Sequence, residues 1–115
     1  MGHISTKIKL IGSKGKTDVK ALVDTGSSLT VIPESIANKI GIKVIKTEKV
    51  ETGSGLIDMK VGSVGILIEG EFVQTRCWIS DFINKTLLGV IVLEEIGFIV
   101  NPNKRKIERG RQLLY

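Results

Sequence analysis

The sequence predicts an all-β domain with one or two short helices, and three observations carry that expectation. The chain has 115 residues, enough for one hydrophobic core and too few for two separate ones. Its 17 Ile and 11 Val far outnumber the five residues of Phe, Trp and Tyr, and β-branched side chains favour strands over helices. Short apolar stretches are separated by turns rich in Gly, Ser and Asn. With 42% apolar and 25% charged residues and only two prolines, the chain can bury a core and does not read as a disordered tail.

Taken in order, Ser5–Leu10 alternates and meets the turn Gly12-Ser-Lys-Gly15, which predicts a strand opening a hairpin. A second strand, Thr17–Asp24, stops at Thr25-Gly26-Ser27-Ser28, where glycine permits a sharp turn and an acid is left at the strand tip. After Leu29–Ile32, Pro33 suits a first helical position and Gly41 a helix stop, framing a short helix over Pro33–Ile40. Strands are expected at Ile42–Ile45, Lys49–Thr52, Ile57–Val61, Val64–Ile68 and Glu71–Ile79, with turns at Gly53-Ser54-Gly55, Gly62-Ser63 and Glu69-Gly70. Thr86-Leu87-Leu88-Gly89 leads into a helix over Val90–Ile96, despite its β-branched content, because Gly97 supplies a stop. A last hairpin turns at Asn101-Pro102-Asn103, and no repeat or composition shift divides the chain.

The net charge of +5 comes from 13 Lys and 4 Arg against 12 acids, and the lysines are scattered. Scattered lysines describe a solvated surface, and the aromatic platforms of a single-strand nucleic-acid binder are nearly absent. No nucleic-acid partner is therefore expected. No apolar run is long enough to span a bilayer and no signal-like stretch opens the chain, so the expectation is a cytoplasmic protein without a membrane partner. Cys77 is alone and reads as a small apolar side chain within a strand. His3 is the only histidine, so neither a histidine-based triad nor a zinc site has ligands to build from, and neither metal nor cofactor is expected. Met1-Gly2 and the sequon Asn84-Lys85-Thr86 match loose modification patterns and take no part in the functional reading.

Asp24-Thr25-Gly26-Ser27, fed by the apolar strand Ala21-Leu22-Val23, is the most informative feature. An Asp-Thr-Gly triplet arises by chance in roughly one or two of every fifty chains this long, and by itself is equally an Asp-capped turn. Context decides. Ala21-Leu-Val-Asp-Thr-Gly-Ser-Ser28 resembles the active-site motif of the retropepsin-like aspartic proteases, and Leu87-Leu88-Gly89 before a helix is similar to their second signature. Gly53, Ser54, Gly55 and Leu56 lie where their flap hairpin would be, although a flexible hairpin tip is an equal reading of that stretch. The likeness covers about Lys7 to Glu108 and implies a single domain, a small closed β-barrel-like acid-protease fold with a flap.

Hydrolysis by carboxylates needs one acid and one base flanking a water, hence two aspartates. Asp18, Asp58 and Asp81 are followed by Val-Lys, Met-Lys and Phe-Ile, so none repeats the motif and a second copy of the chain must supply the partner. The resemblance implies a homodimer with Asp24 of each chain catalytic, Thr25 bonding to its twin, Gly26 offering its N–H and Ser27 its hydroxyl to the carboxylate. It implies Leu87, Leu88 and Gly89 packed beneath the loop, and a peptide or protein substrate held as an added strand under the flap. Retroviral members have an acid shortly after the motif and an arginine after the later glycine; Ser28-Leu29 and Val90 stand here instead, so that ion pair is absent. The tail Arg109–Tyr115 matches no family terminus, and its apolar end is expected to pack on the partner. Two other readings remain open: a dimeric peptide-binding domain on the same fold with weak or no turnover, and a basic nucleic-acid-binding β-barrel.

Overall fold

The computed structural model describes residues 4–110. Strand β1 (Ser5–Ile11) turns Ile8 and Leu10 inward and runs antiparallel to β2 (Lys16–Val23), in register from Ser5 opposite Leu22 to Ile11 opposite Lys16. The wholly buried β3 (Thr30–Pro33) follows. Pro33 then caps α1 (Glu34–Ile40), which Gly41 ends in the left-handed conformation at φ 80°. β4 (Lys46–Thr52) and β5 (Gly55–Ile68) make a hairpin, and β5 turns at Glu69-Gly70 into β6 (Glu71–Ser80). Then come β7 (Leu87–Leu88), α2 (Val90–Ile96) and a closing hairpin of β8 (Phe98–Asn101) and β9 (Lys106–Arg109).

The main sheet runs β1-β2-β7-β3-β6-β5-β4, and pairing of β1 with β5 bends it into a ring that leaves β4 outside. The fold is all-β and barrel-like without being a true barrel, because β1 meets β5 through Lys9–Ile11 only and β3 meets β7 only where Val31 faces Leu87. One apolar cluster fills the ring, with Leu10, Ile32, Ile66 and Leu88 at its centre and both helices packed on it through Ile40 and Val92. β5 pairs with β6 only from Lys60 onward, so Gly55–Met59 and β4 form a two-stranded arm projecting from the ring.

The structure departs from the sequence expectations in three places. Ile42–Ile45 is not a strand: Ile42 is buried, but Val44 and Ile45 are exposed. The two strands expected over Ile57–Val61 and Val64–Ile68 are one, and Gly62-Ser63 is not a turn. Both departures share a cause, since a Cβ on Gly62 would lie 2.7 Å from Ile42 Cγ2 and 3.0 Å from the Lys43 carbonyl oxygen. Gly62 lets the 42–43 segment lie on β5, and the apolar Ile42 serves that contact. Pro33, third, ends β3 and caps the helix instead of being its first residue. The expectations for His3 and for the tail beyond residue 110 lie outside the described residues.

Candidate active site

β2 delivers Asp24 to the mouth of the ring, and β7 fixes where the strand ends. Leu22 and Val23 pair in parallel with Leu87 and Leu88; the Leu22 N–H donates to the Thr86 carbonyl at 2.9 Å and the Asp24 N–H to the Leu88 carbonyl at 3.0 Å. Beyond the strand, the Ser27 N–H donates to the Asp24 carbonyl at 3.1 Å and closes the turn. The Gly26 N–H donates to Asp24 Oδ1 at 3.0 Å, which orients the carboxylate. Asp24 is half-buried, while Thr25 and Gly26 are exposed at the surface of the loop. The Ser27 hydroxyl, expected on the carboxylate, donates instead to the Leu29 carbonyl at 2.7 Å, because the loop folds back on itself one residue before β3.

The loop is braced from below. Val90 and Ile91, the first residues of α2, donate their N–H groups to the carbonyls of Ser27 and Ser28 at 2.9 and 3.2 Å. The Asp24 loop thus caps the helix, satisfying backbone donors that would otherwise be orphaned in the interior. Gly89 makes the approach possible, since a Cβ there would lie 2.4 Å from the Leu29 carbonyl carbon. The Gly89 N–H donates to Thr30 Oγ1 at 3.0 Å, a wholly buried bond. Thr30 has no place in the sequence reading. Its signal was a lone hydroxyl among Leu29, Val31 and Ile32, which burial obliges to find a partner.

Above the loop lies a cavity of about 610 Å³. Gly26, Ser27 and Ser28 form one side, and the cavity does not reach Asp24 itself. The arm supplies Val50, Glu51, Thr52, Ile57 and Met59, and the ring supplies Val31, Trp78, Phe82 and Ile83. Of the arm residues singled out in the sequence, Ser54 lines the cavity whereas Gly53, Gly55 and Leu56 do not, and Leu56 is 67% exposed. The missed residues had a signal in the alternation Ile57, Met59, Val61 along β5, which puts one face of the strand toward the cavity. Behind the cavity, the Trp78 indole N–H donates to Glu48 Oε1 at 2.8 Å. That bond, with the Arg76 and Lys46 cations beside it, holds the Glu48 carboxyl below its ordinary range.

Cys77 is buried, and loss of solvation pushes its thiol up to about 12, so it offers no nucleophile. Among the described residues no group of three His, Cys, Asp or Glu could hold a metal, and no helix is long and apolar enough to cross a membrane.

A strand-borne Asp-Thr-Gly loop, braced by an apolar pair, a glycine and a helix inside a β-ring, defines an acid-protease architecture. The chain belongs to the aspartyl protease family, whose model matches residues 8–90. Solved structures share the fold over nearly the whole chain. The EIAV protease superposes with a TM-score of 0.67 at 19% identity, over 98% of this chain and 94% of that one. A retropepsin-like aspartic protease from Rickettsia conorii gives 0.64 at 22% identity, over 88% and 78%. The retroviral protease-like domain of Ddi1 from Leishmania major gives 0.67 at 14% identity, over 95% and 89%. Among curated proteins none matches the chain significantly. The fold is therefore that of a retropepsin-like aspartic protease.

Proposed function

We propose that the chain is an aspartic endopeptidase that works as a homodimer, each copy contributing Asp24 to one water-activating pair. The observation that carries this reading is the single Asp24 loop, braced by β7 and α2 and open beside a cavity of mixed polar and apolar lining. The other aspartates with resolved partners are engaged elsewhere: Asp18 pairs with Lys9 at 3.5 Å and Asp58 with Lys49 at 2.7 Å. One chain holds half of the chemistry, and a twofold axis beside the exposed Thr25 completes it. The family match over 8–90 and the one core cluster support a single domain.

Two carboxylates facing each other across the axis share one proton, as in aspartic-protease dyads generally. The ionised member takes a proton from the bound water as its oxygen attacks the peptide carbonyl carbon. The protonated member gives its proton to the carbonyl oxygen, forming a neutral gem-diol. The first member then gives the proton it took to the amide nitrogen while a gem-diol hydroxyl returns its proton to the second; the C–N bond breaks, the amine and the carboxylic acid leave, and the dyad again holds one proton. The β4–β5 arm, with Gly53, Ser54, Gly55 and Leu56 at its end, acts as the flap over a peptide lying extended on the loop. Gly26 holds the carboxylate; Ser27 and Gly89 hold the loop.

The test is Asp24→Asn, which keeps the shape and the Gly26 bond but provides neither base nor shared proton. Purified wild type cleaves members of a peptide library between about pH 4 and 7, and the variant cleaves none while its circular dichroism and sedimentation match wild type. Cleavage at the wild-type rate by the variant refutes the mechanism. Binding of library peptides by both proteins without cleavage by either identifies instead a dimeric peptide-binding domain on the same fold.

A further inference from the structure

A side-chain cluster ties the β4–β5 arm to the ring, and that cluster contains a wall of the cavity. Among the described residues, β4 is an edge strand whose ladder runs only to β5. Residues that pair across a sheet share a face, so Lys46, Val61 and Trp78 lie in one row, with Glu48 and Met59 in the next row on the same face. From β4, Glu48 reaches across β5 to two residues of β6. It accepts the Trp78 indole N–H at 2.8 Å and Arg76 Nη2 at 3.2 and 3.3 Å on its two oxygens. Lys46 Nζ stands 3.6 Å away. Trp78 and Met59 on this face line the cavity.

We propose that Glu48 is a positioning residue for substrate: it clamps the Trp78 indole as a fixed wall of the cavity and pins the base of the arm to β6. The proposal rests on the endopeptidase reading for its consequence, not for the clamp itself. An indole free to swing would leave the cavity without a defined wall for a bulky side chain, whereas a small side chain does not reach it. The groups facing Glu48 are Trp78 and Arg76 from β6 and Lys46 from its own strand; they favour its ionised form, the form that accepts both bonds.

Trp78 is the only tryptophan, so its fluorescence reports on this cluster and nothing else. Glu48→Ala removes the indole acceptor and the Arg76 partner together; acrylamide quenching of Trp78 rises and its emission shifts. Glu48→Gln keeps an oxygen for the indole but not the charge for Arg76, and falls between the two. Lys49→Ala breaks the Lys49–Asp58 pair on the opposite face of the same arm and leaves Trp78 emission as in wild type. On unlabelled peptides that differ only in carrying Ala, Leu or Phe beside the cleaved bond, Glu48→Ala raises KM for Leu and Phe by about three- to tenfold, with kcat and the Ala peptide changing far less. The clamp is wrong if Trp78 quenching is the same in wild type and both Glu48 variants, or if Lys49→Ala produces the same shift. Its role toward substrate is wrong if kcat falls with KM unmoved, or if KM rises equally for all three peptides. If wild type cleaves no peptide, the endopeptidase reading fails and the fluorescence comparison alone decides the clamp. If Glu48→Ala does not fold, Glu48→Gln against Lys49→Ala decides it.

Discussion

Gly89 has no room for a side chain, and the consequence falls on Asp24, whose N–H is bonded to the neighbouring Leu88 carbonyl. Gly89→Ala would drive a methyl group into the Leu29 carbonyl, forcing α2 and the Asp24 loop apart at a cost of about 1–3 kcal/mol. Denaturant unfolding should show that loss, and cleavage should fall further than stability does, because the loop carrying Asp24 is what moves. Thr30→Val keeps the shape but strands the Gly89 N–H in the interior, a loss of about 1–3 kcal/mol by the same measurement. Asp24 was legible because Asp-Thr-Gly-Ser is a local signal within one turn. Thr30 was not, because its partner stands 59 positions along the chain. Cys77 makes a prediction about pH. Its ordinary value is 9.0 and burial raises it to about 12, so between these the unfolded chain loses the thiol proton while the folded chain keeps it. Stability owed to the neutral thiol is complete below the ordinary value and is lost as pH rises toward the higher one. The stability difference between wild type and Cys77→Ala should therefore shrink as pH climbs above about 9; a difference constant to about pH 11 contradicts the assignment.

At the scale of elements, Gly62 shows how one residue type carries two opposite messages. Glycine beside serine reads locally as a turn, and most turn statistics agree. Here the residue sits inside the longest strand of the protein, opposite Cys77, because the backbone of 42–43 crosses β5 at that point. The same event explains why Ile42–Ile45, apolar enough for a strand, pairs with nothing along most of its length. Helices over 34–40 and 90–96 were easier, since each ends at a glycine in the left-handed region. Gly62→Val should lift the 42–43 segment off β5 and cost about 1–3 kcal/mol, despite placing a strong strand former in a strand. Thermal unfolding checks the loss, and faster amide exchange confined to 42–45 and the β4–β5 arm would locate it. An unchanged melting temperature would mean that the segment adapts without cost.

At the scale of the molecule, no local pattern reveals that β7 enters the sheet between β2 and β3, since both of its pairings span long stretches of chain. The Leu87-Leu88-Gly89 likeness was the only pointer, and it worked because an apolar pair followed by glycine is what that insertion demands: Leu88 buried in the core, Gly89 against the loop. The insertion also fixes what one copy can do. It presents one Asp-Thr-Gly loop, with Thr25 exposed beside Asp24. If each copy holds half of a site, specific activity should fall once the protein is diluted below its dimer dissociation constant. Inactive copies should also poison active ones. Mixed with excess Asp24→Asn and given time to exchange, most wild-type chains enter dimers with one aspartate and one asparagine, which lack either the base or the shared proton and should be nearly inert. Cleavage rate is measured against mixing ratio at constant wild-type concentration, with sedimentation establishing the oligomer and a tagged subunit establishing exchange. A steep fall toward zero supports the shared site; a rate that stays flat while subunits demonstrably exchange means that Asp24 acts within one chain or not at all.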